Sequence, residues 1–321
     1  LLRFNERVRI GCEEASDAEL CAAFARTEAA RNDTSLTYFE MGTLAAVDIF
    51  ARAKLDVAIL EIGLGGRLDA VNIFDPDCAI LSSVDIDHTD YLGRTRDQIG
   101  FEKAHIFRTG KPAVCAISDP PQSVLTHAGE IGAELLLSGR DFDVASHASH
   151  WDFSFRERRR HGLPFPALRG TYQVRNAAAA LVALETLAAR LPVSQQHVRN
   201  GLSQVRLPGR FQTLPGRPVT ILDVAHNREA AATLAATLSA LPPARTHAVF
   251  AMLKDKEISA VIKAVAHQID AWYVADLPGP RGASAAELQA LLPAGSAATH
   301  ASVQQAWRHA YDKAAENDRI V

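Results

Sequence analysis

Short apolar runs alternate with longer stretches of helical periodicity along most of the chain. The runs at 56–62, 78–84 and 112–117 are largely apolar. Such runs fit strands that are buried on both faces of a parallel sheet. Stretches in which apolar residues recur at helical spacing lie around them, at 17–31, 39–53, 96–108 and 121–132. This alternation of strand and helix predicts an α/β fold.

The alternation is interrupted in the middle of the chain. Residues 141–155 contain alternating aromatic side chains and run into the charged stretch Arg156–Gly162, which together predict a hairpin with a solvated, charged turn. The arginines of this stretch could also bind a polyanion, although an exposed turn is the more frequent role of so short a charged run. A long Ala-rich helix is predicted next, over 173–190.

A second strand–helix series begins after Leu207–Arg210, where a Pro-Gly pair breaks the periodicity. Its predicted elements are strands at 219–224, 247–252 and 271–275, a helix from Arg228 and a helix near 258–267. We therefore expect a parallel-sheet domain over residues 1–206 and a smaller Rossmann-like domain over 207–321. Two such domains facing each other would form a cleft, which is a usual place for a binding site.

Composition and charge exclude several classes of protein. The chain has 34 Lys+Arg and 37 Asp+Glu, a net charge of −3, which gives no overall electrostatic footprint for nucleic acid. No apolar run approaches the ~20 residues of a membrane span. The four cysteines lack metal-binding spacing, and we interpret them as reduced thiols of a cytoplasmic protein. The first residue is not Met, and residues 319–321 resemble the first half of a strand, so we expect a segment of a longer protein.

The densest group of chemically active residues is the glycine-rich segment Leu60–Ala70, which overlaps the end of the first apolar run. Because sites in parallel sheets form at the carboxyl ends of strands, Glu61 is placed to reach a ligand or a metal. The glycines of this segment allow the backbone to approach a substrate closely. A dinucleotide-binding motif would need a further glycine where the chain has Leu68, so that interpretation is weak.

Two further groups follow along the chain. His88 lies among several carboxylates after the second apolar run, a setting that favours metal or phosphate binding. Alternatively, Asp85 or Asp87 caps the next helix. Lys103 lies on a predicted helix, and its ammonium would repel a nearby cation unless its charge were removed or reversed.

The predicted second domain carries a fourth group of polar residues. Asp223 ends a predicted strand, so Asp223, His226 and Asn227 are expected at the carboxyl edge of the second sheet. Arg210 precedes this strand, and a guanidinium is well suited to bidentate contacts with phosphate.

At these four groups the chain resembles the folylpolyglutamate synthase/dihydrofolate synthase family, within the Mur ligase superfamily. The matching stretches, in family order, are LLRFNERV (Leu1–Val8), LTYFEM (Leu36–Met41), LEIGLGGRLDAVN (Leu60–Asn72), DIDHTDYLG (Asp85–Gly93), EKAHIF (Glu102–Phe107), Leu163–Leu181 and Leu207–Asn227. The resemblance implies an α/β fold with a Mur-ligase-like central parallel-sheet domain, truncated at its N-terminus, and a smaller Rossmann-like C-terminal domain. It also implies ATP-dependent ligation of L-glutamate to dihydropteroate or tetrahydrofolate through an acyl phosphate.

The resemblance further implies a role for each candidate residue. Glu61 and His88 would ligate Mg²⁺, and Lys103 would be carbamylated, which turns an ammonium into a carboxylate. His226 would lie near the glutamate and acyl-phosphate site. The nucleotide contacts would be Asn176, Arg210 and Asp223, and the loops holding the pterin-bearing substrate would contain Thr37, Tyr38, Phe39, Arg67, Leu68 and Asp69. The implied partners are small molecules only, with no nucleic acid or membrane, and we expect a monomer.

The chain also departs from the family pattern. It contains neither a phosphate-binding loop of the GTNGKGS kind nor a Thr-Ser-Pro-His segment. We therefore expect the 321-residue chain alone to turn over far below a family-like rate, and the upstream reading frame to restore activity. Arg228 replaces a usual Pro, His105 replaces a usual Gly, and a far C-terminal strand is expected to be missing. The alternatives are a degenerate folate- or nucleotide-binding protein, another Mur-type amino-acid ligase and, least supported, a nicotinamide dehydrogenase.

Overall fold

The computed structural model describes residues 3–86 and 88–321. Leu1, Leu2 and Asp87 lie outside the described residues, so the proposed cap at Asp87 and the first two residues of the LLRFNERV match are outside them too. The described chain divides into two compact units. The first consists of the described residues through Ala113 together with Asp119–Leu135, and the second of Val114–Ser118 with Leu136–Val321.

The first unit is mainly helical. Its helices are α1 (Asp17–Arg31), α2 (Tyr38–Ala53), α3 (Thr89–Leu92), α4 (Arg96–Ala104) and α5 (Gln122–Glu130), with short 3₁₀ turns at Phe4–Arg7 and Ala70–Ile73. Its strands are β1 (Arg9–Ile10), β2 (Glu13–Glu14) and β3 (Ala79–Leu81), and the division between the units falls within β4 (Pro112–Cys115) and β5 (Glu134–Leu137). Strands β3, β4 and β5 form one sheet in that order.

Three helices of this unit begin at polar caps. In α1, α2 and α4 the N-cap residue is Ser16, Thr37 or Thr95, and each helix starts with a reciprocal capping box. Such a cap satisfies backbone N–H groups that have no partner within the helix. The predicted helices at 17–31 and 39–53 are confirmed to within a residue, because periodicity and cap agree there.

The first predicted strand, residues 56–62, is wrong. Within the described part of the chain this run pairs with no strand, and Ile59 is 88% exposed. Apolar character predicts burial, but a strand also needs a neighbour that supplies its backbone hydrogen bonds. The runs that became β3 and β4 have such neighbours.

The second unit contains a small antiparallel sheet, a large sheet and six helices among the described residues. Its helices are α6 (Thr171–Thr186), α7 (Gln195–Gln204), α8 (Arg228–Ser239), α9 (Ile258–Val265), α10 (Ala285–Gln289) and α11 (Val303–Lys313), with a 3₁₀ turn at Ala266–Gln268. Its strands are β6 (Phe142–Ser146), β7 (Trp151–Phe155), β8 (Arg158–Leu163), β9 (Gln212–Leu214), β10 (Val219–Leu222), β11 (Thr246–Phe250), β12 (Ala271–Ala275), β13 (Ala297–His300) and β14 (Arg319–Ile320).

The large sheet has the order β13-β12-β11-β14-β10-β9, and all its pairings are parallel except that of β9 at the edge. Residues of β12 alternate between two buried clusters. Trp272 and Val274 pack with α8, α9 and α10, whereas Tyr273 and Ala275 pack with α11. Because both faces are covered by helices, the strands read as continuous apolar runs, and the predicted Rossmann-like arrangement is confirmed.

The predicted hairpin with an exposed, charged turn is confirmed at Arg156–Glu157, but Arg158–Leu163, the rest of the charged stretch, is a strand and not part of the turn. Strands β6, β7 and β8 form an antiparallel sheet in which Phe153 faces Arg160. The buried carboxylate of Glu185 on α6 pairs with Arg158 and accepts a hydrogen bond of 2.8 Å from Nε of Arg160. Two of the arginines proposed for polyanion binding, Arg158 and Arg160, therefore already share a carboxylate partner within the fold.

Helices α4 and α5 meet through a small group of rings. The ring of His105 stacks on that of His127 at a centroid distance of 4.0 Å, and Phe101 packs edge-on against His105. His105 stands where the resembled family has Gly, so the substitution adds a ring contact between two helices. Burial and the neighbouring His105 hold the pKa of His127 below its ordinary value. In the described residues, no helix is long and apolar enough to cross a membrane.

We expect Glu185→Gln to destabilise the second unit. The substitution removes the charge that pairs with both arginines, and hydrogen bonds to charged groups contribute about 1.5–3 kcal/mol to the free energy of unfolding. Denaturant unfolding measures the loss. Glu316→Gln is the matched control, because Glu316 forms a long, exposed pair with Arg217 and should change stability by less than about 0.5 kcal/mol. Equal effects of the two substitutions would contradict the role given to Glu185.

We expect the lowered pKa of His127 to make stability depend on pH. The folded state binds this proton less readily than the unfolded state does, so the free energy of unfolding should fall as pH drops below the ordinary imidazole value of about 6.5. His127→Gln should flatten this decline in urea unfolding measured above and below that pH. His267→Gln, at an exposed position, should leave the decline unchanged. A pH dependence that is identical in wild type and His127→Gln would count against this assignment.

Candidate active-site residues

The glycine-rich segment of the first unit lies directly against the end of α4. A Cβ on Gly66 would come within 2.8 Å of the backbone oxygen of Glu102 and 3.1 Å of that of Lys103. Only glycine permits this approach, and the backbone N–H of Arg67 then donates to the Glu102 carbonyl at 3.0 Å. The segment that follows Glu61 is thereby held beside the helical turn that carries Lys103.

Two other glycines bring further candidate segments to the same place. A Cβ on Gly63 would meet the ring of Phe39 at 2.5 Å, and one on Gly65, whose φ is +67°, would meet Leu92 at 2.7 Å. The glycine-rich segment thus contacts α2 through Phe39, α3 through Leu92 and α4 through Glu102. Four stretches that the sequence singled out separately are brought together.

Asp69 stabilises the loop of the glycine-rich segment through hydrogen bonds to its backbone. The carboxylate of Asp69 accepts hydrogen bonds of 2.9 Å from the backbone N–H groups of Leu64 and Val71. Arg67 forms an ion pair with Glu102 at 3.0 Å, and Leu68 is 81% exposed. Of the three residues predicted to bind substrate here, Asp69 therefore supports the loop while Leu68 faces solvent.

The predicted substrate residues at the start of α2 also include some that support the local structure and one that is exposed to solvent. The Thr37 hydroxyl accepts from the Glu40 backbone N–H at 3.2 Å as the helix cap. Tyr38 is 70% exposed, and its ring packs edge-on against Phe4 at 5.9 Å. Phe39 is half-buried over Gly63. Thr37 and Phe39 shape this region, and Tyr38 presents a ring to solvent.

The three predicted metal-site residues lie on the segments that the glycines gather. Glu61 is exposed just before the glycines, His88 is exposed at the start of α3, and Lys103 is half-buried in the last turn of α4. The N-cap of α3 is His88, with φ of +51°, so the alternative that Asp85 caps this helix is wrong. Their convergence on one metal ion stays a prediction.

In the second unit, one carboxylate joins two loops. Asp223 follows β10, and its oxygens accept from the backbone N–H groups of Phe211 at 2.8 Å and Ala225 at 2.9 Å. The adjacent Gly209, with φ of +71°, accepts through its carbonyl from Val224 at 3.0 Å. The Pro-Gly turn and the loop after β10 are thus fastened together, and the exposed Arg210 stands between them.

The N-terminal turn of α6 faces these same charges. Burial and then the charge of Asp223 raise the pKa of Tyr172, whereas the nearby Arg210 lowers it. Tyr172 therefore lies within electrostatic range of both residues. Asn176 is exposed one helical turn further on, on the same face of α6. Sequence reasoning missed Tyr172, because the helix was predicted to start at 173, whereas α6 starts at Thr171 and so includes Tyr172 four residues before Asn176.

His226 and Asn227 lie where the sequence predicted, at the loop after β10. Nδ1 of His226 is 3.0 Å from the carbonyl oxygen of Val224. Because that oxygen can only accept, Nδ1 carries the proton, and in the neutral ring Nε2 keeps its lone pair. The side-chain oxygen of Asn227 caps α8 by accepting from Ala230 at 2.9 Å, so α8 begins at Arg228 without the usual Pro.

Comparison with protein families identifies two domains. Residues 18–184 match the family described as the Mur ligase middle domain, and residues 209–321 match the Mur ligase glutamate ligase domain. Together they cover most of the chain and confirm the Mur-ligase fold.

Individual relatives are similar to this chain over nearly its whole length. The dihydrofolate synthase/folylpolyglutamate synthase of Escherichia coli K12 is 43% identical over 322 residues, which is 100% of this chain and 74% of that protein. A solved structure of E. coli FolC in complex with DHPP and ADP superposes with a TM-score of 0.95 at 43% identity, covering 99% of this chain and 75% of that one. The Yersinia pestis bifunctional enzyme complexed with AMPPNP and Mn ion gives a TM-score of 0.93 at 46% identity, covering 100% and 76%. The chain therefore belongs to the dihydrofolate synthase/folylpolyglutamate synthase family of Mur ligases.

Proposed function

We propose that this protein uses ATP to join L-glutamate to dihydropteroate, to tetrahydrofolate or to both. The observation that carries the proposal is its likeness, at 43% identity over the whole chain, to an enzyme named for both activities. The relative solved with DHPP and ADP has nearly the same fold over 99% of this chain. None of the relatives quoted favours a cell-wall ligase, a dehydrogenase or a non-catalytic protein.

The reaction needs activation, because a carboxylate does not react with an amine at neutral pH. Transfer of the γ-phosphoryl group of ATP to the acceptor carboxylate gives an acyl phosphate and ADP. The amine of glutamate then attacks the acyl carbon, the C–O bond to phosphate breaks, and an amide and inorganic phosphate result. Catalysis of such steps rests mainly on positioning and on stabilising charge on the phosphoryl oxygens.

The second unit supplies groups of the right chemistry for the nucleotide. We assign Arg210 to a phosphate, since a guanidinium matches phosphate oxygens with two parallel hydrogen bonds. Asp223 positions Arg210 by fixing the loops on both sides of it. Asn176 and Tyr172 line the same region and can contact the nucleotide through an amide and a ring.

His226 suits the glutamate half-reaction. The incoming amine loses a proton when it forms the amide, and Nε2 of His226 has the lone pair to accept it. The Val224 carbonyl fixes the tautomer by holding the proton on Nδ1. This role follows the general pattern of a histidine base oriented by a second hydrogen bond.

The donor set in the first unit fits a divalent cation. Glu61 offers a carboxylate, the ligand type that Mg²⁺ prefers, and His88 offers an imidazole, which Mn²⁺ accepts more readily than Mg²⁺. Both side chains are exposed beside the glycine-rich segment. When bound, the ion would neutralise charge on the phosphates.

Lys103 fits this setting only as a carbamate. An ammonium beside a cation is repelled, whereas addition of CO₂ to Nζ gives an anionic group that attracts it. The turn that carries Lys103 is fastened to the glycine-rich segment through Glu102, which restrains where the modified side chain can reach. We therefore infer that Lys103 is carbamylated in the active protein.

Exposed groups around the glycine-rich segment suit an aromatic, pterin-bearing acceptor. Tyr38 and Leu68 present ring and aliphatic surface to solvent there. Arg67 can attract the acceptor carboxylate if that carboxylate replaces Glu102 as its ion-pair partner. Thr37, Phe39 and Asp69 contribute by shaping the loops that carry these groups.

The proposal also covers the domain boundary, the cellular location and the oligomeric state of the protein. We place the boundary between 206 and 207, supported by the family match that starts at 209 and by a large sheet formed only from strands at 212–320. The four cysteines are free thiols, which agrees with a reducing cytoplasm. We infer a monomer whose partners are ATP, glutamate and a reduced folate or dihydropteroate.

The function is tested with the protein expressed from its natural reading frame. ADP release should require L-glutamate, a divalent cation and either dihydropteroate or tetrahydrofolate. Arg210→Ala should weaken ATP binding by about tenfold to a hundredfold, because hydrogen bonds to charged groups contribute about 1.5–3 kcal/mol. Arg206→Ala is the matched control at a nearby exposed arginine. Nucleotide binding without glutamate-dependent ADP release from either acceptor would refute the proposed activity.

Carbamylation of Lys103 has its own test. Protein equilibrated with ¹³C-bicarbonate should show a carbamate signal by NMR, and Lys103→Arg should remove that signal. The same substitution should lower kcat by about 10²–10³-fold, as loss of one electrostatic stabiliser does. Lys263→Arg, an exposed lysine on α9, should change neither. An active wild-type protein with no signal beyond that of Lys103→Arg would show that the lysine acts unmodified.

A further inference from the structure

A cluster of imidazoles and one carboxylate lies at the turn that joins β6 and β7, in the second unit. We propose that His147, His150 and Asp152 form a binding site for a divalent transition-metal ion, of which Zn²⁺ is the best match. This site is separate from the residues assigned above to the ligase reaction. It does not depend on the proposed function.

The distances within the cluster suit one ion. One ligand atom from each of the three residues lies within 4.8 Å of the others. Nε2 of His147 is 3.5 Å from Oδ2 of Asp152. Two ligands on a tetrahedral Zn²⁺ with bonds of about 2.0–2.1 Å are about 3.3 Å apart, so little movement is needed. The rings of His147 and His150 stack at a centroid distance of 4.5 Å, which keeps the two imidazoles side by side.

The hairpin places these side chains on one side. Its turn is closed by a hydrogen bond of 2.9 Å from the His147 backbone N–H to the His150 carbonyl, which brings the two histidines together. Along β7, Trp151 and Phe153 are buried, so the intervening Asp152 points to the opposite, solvent-facing side. Closure of the turn and the alternation of side chains along β7 therefore bring His147, His150 and Asp152 together.

A β-bulge between β7 and β8 holds the carboxylate in place. The register shifts between Trp151 and Phe153, so that Asp152 faces two residues of β8. Its Oδ1 accepts from the Gly162 backbone N–H at 2.8 Å, and its Oδ2 is 3.1 Å from Nδ1 of His161. Metal-binding carboxylates are commonly oriented by such hydrogen bonds. His161 is thus a positioning residue for Asp152.

The donor chemistry selects the kind of ion. Two imidazole nitrogens and one carboxylate oxygen, with a water completing the coordination, match the sites at which Zn²⁺ keeps an open position. Mg²⁺ and Ca²⁺ prefer sites built from oxygen ligands and gain little from imidazole. The ligands come from within six residues of one hairpin, so a bound ion would clip the turn to the start of β7.

The proposal is tested by calorimetric titration of the metal-free protein with Zn²⁺ in the presence of excess Mg²⁺, which occupies oxygen-rich sites. Wild type should bind one equivalent that His150→Gln and Asp152→Asn lose, with affinity lowered by at least about 100-fold. His161→Gln should retain the equivalent with about tenfold weaker affinity, as expected when an orienting hydrogen bond is removed. Co²⁺ bound in place of Zn²⁺ gives an independent readout through its visible absorption.

Two matched substitutions control for loss of histidine and of charge. His267→Gln removes an exposed histidine outside the hairpin, and Asp143→Asn removes an acid on β6 of the same hairpin. Both should bind Zn²⁺ as wild type does. Far-UV circular dichroism and metal-free unfolding confirm that the ligand variants fold, and if Asp152→Asn does not, His150→Gln decides. Identical Zn²⁺ binding by wild type and His150→Gln, or displacement of the Zn²⁺ by Mg²⁺, would overturn the proposal.

Discussion

The arrangement of the first unit depends on a steric constraint at its glycine-rich segment. The backbone at Gly66 touches the end of α4 so closely that a single methyl group would collide with the Glu102 carbonyl at 2.8 Å. The same segment accepts the Phe39 ring at Gly63 and the Leu92 side chain at Gly65. Since each contact exists only without a Cβ, the three glycines together decide which parts of the chain can surround the candidate residues of this segment.

Carboxylates fix the loops of both units by the same means. Asp69 accepts from the backbone N–H groups of Leu64 and Val71, and Asp223 accepts from one backbone N–H group on each side of β10. An ionised carboxylate forms strong hydrogen bonds with such donors, so each loop is held without a regular secondary structure. Because Asp223 is occupied by backbone N–H groups, its neighbour Arg210 is better placed to reach a ligand than Asp223 is.

The small antiparallel sheet shows how one β-bulge restrains a carboxylate. Its buried side is formed by Trp151, Phe153 and Phe155, which leaves polar residues of β7 on the other side. The bulge presents both His161 and Gly162 to Asp152. A simple alternating ladder would present one residue, and the carboxylate would then lack one of its two restraints.

The sequence by itself determined the fold class, the positions of most helices and the family. Helices with both periodicity and a polar cap, such as α1, were predicted almost to the residue, because both signals are local. The buried strands β11 and β12 were recognisable because a continuous apolar run is also a local signal. The motifs around Glu61, His88 and Asp223 were likewise visible as polar residues after apolar runs, and Lys103 as a residue of a predicted helix.

Only the tertiary structure decided how those motifs are used. Residues 56–62 form no strand because pairing depends on a neighbour, whereas Arg158–Leu163 pairs with β7, and Glu185, distant in sequence, forms ion pairs with Arg158 and Arg160. The pairing of Asp69 and Asp223 with backbone groups, and the approach of Tyr172 to Arg210, are also long-range or depend on loop conformation. The spacing His147-x-x-His150-x-Asp152 is present in the sequence, but these residues become a cluster only when the turn between β6 and β7 closes and Asp152 takes its place on the solvent-facing side of β7.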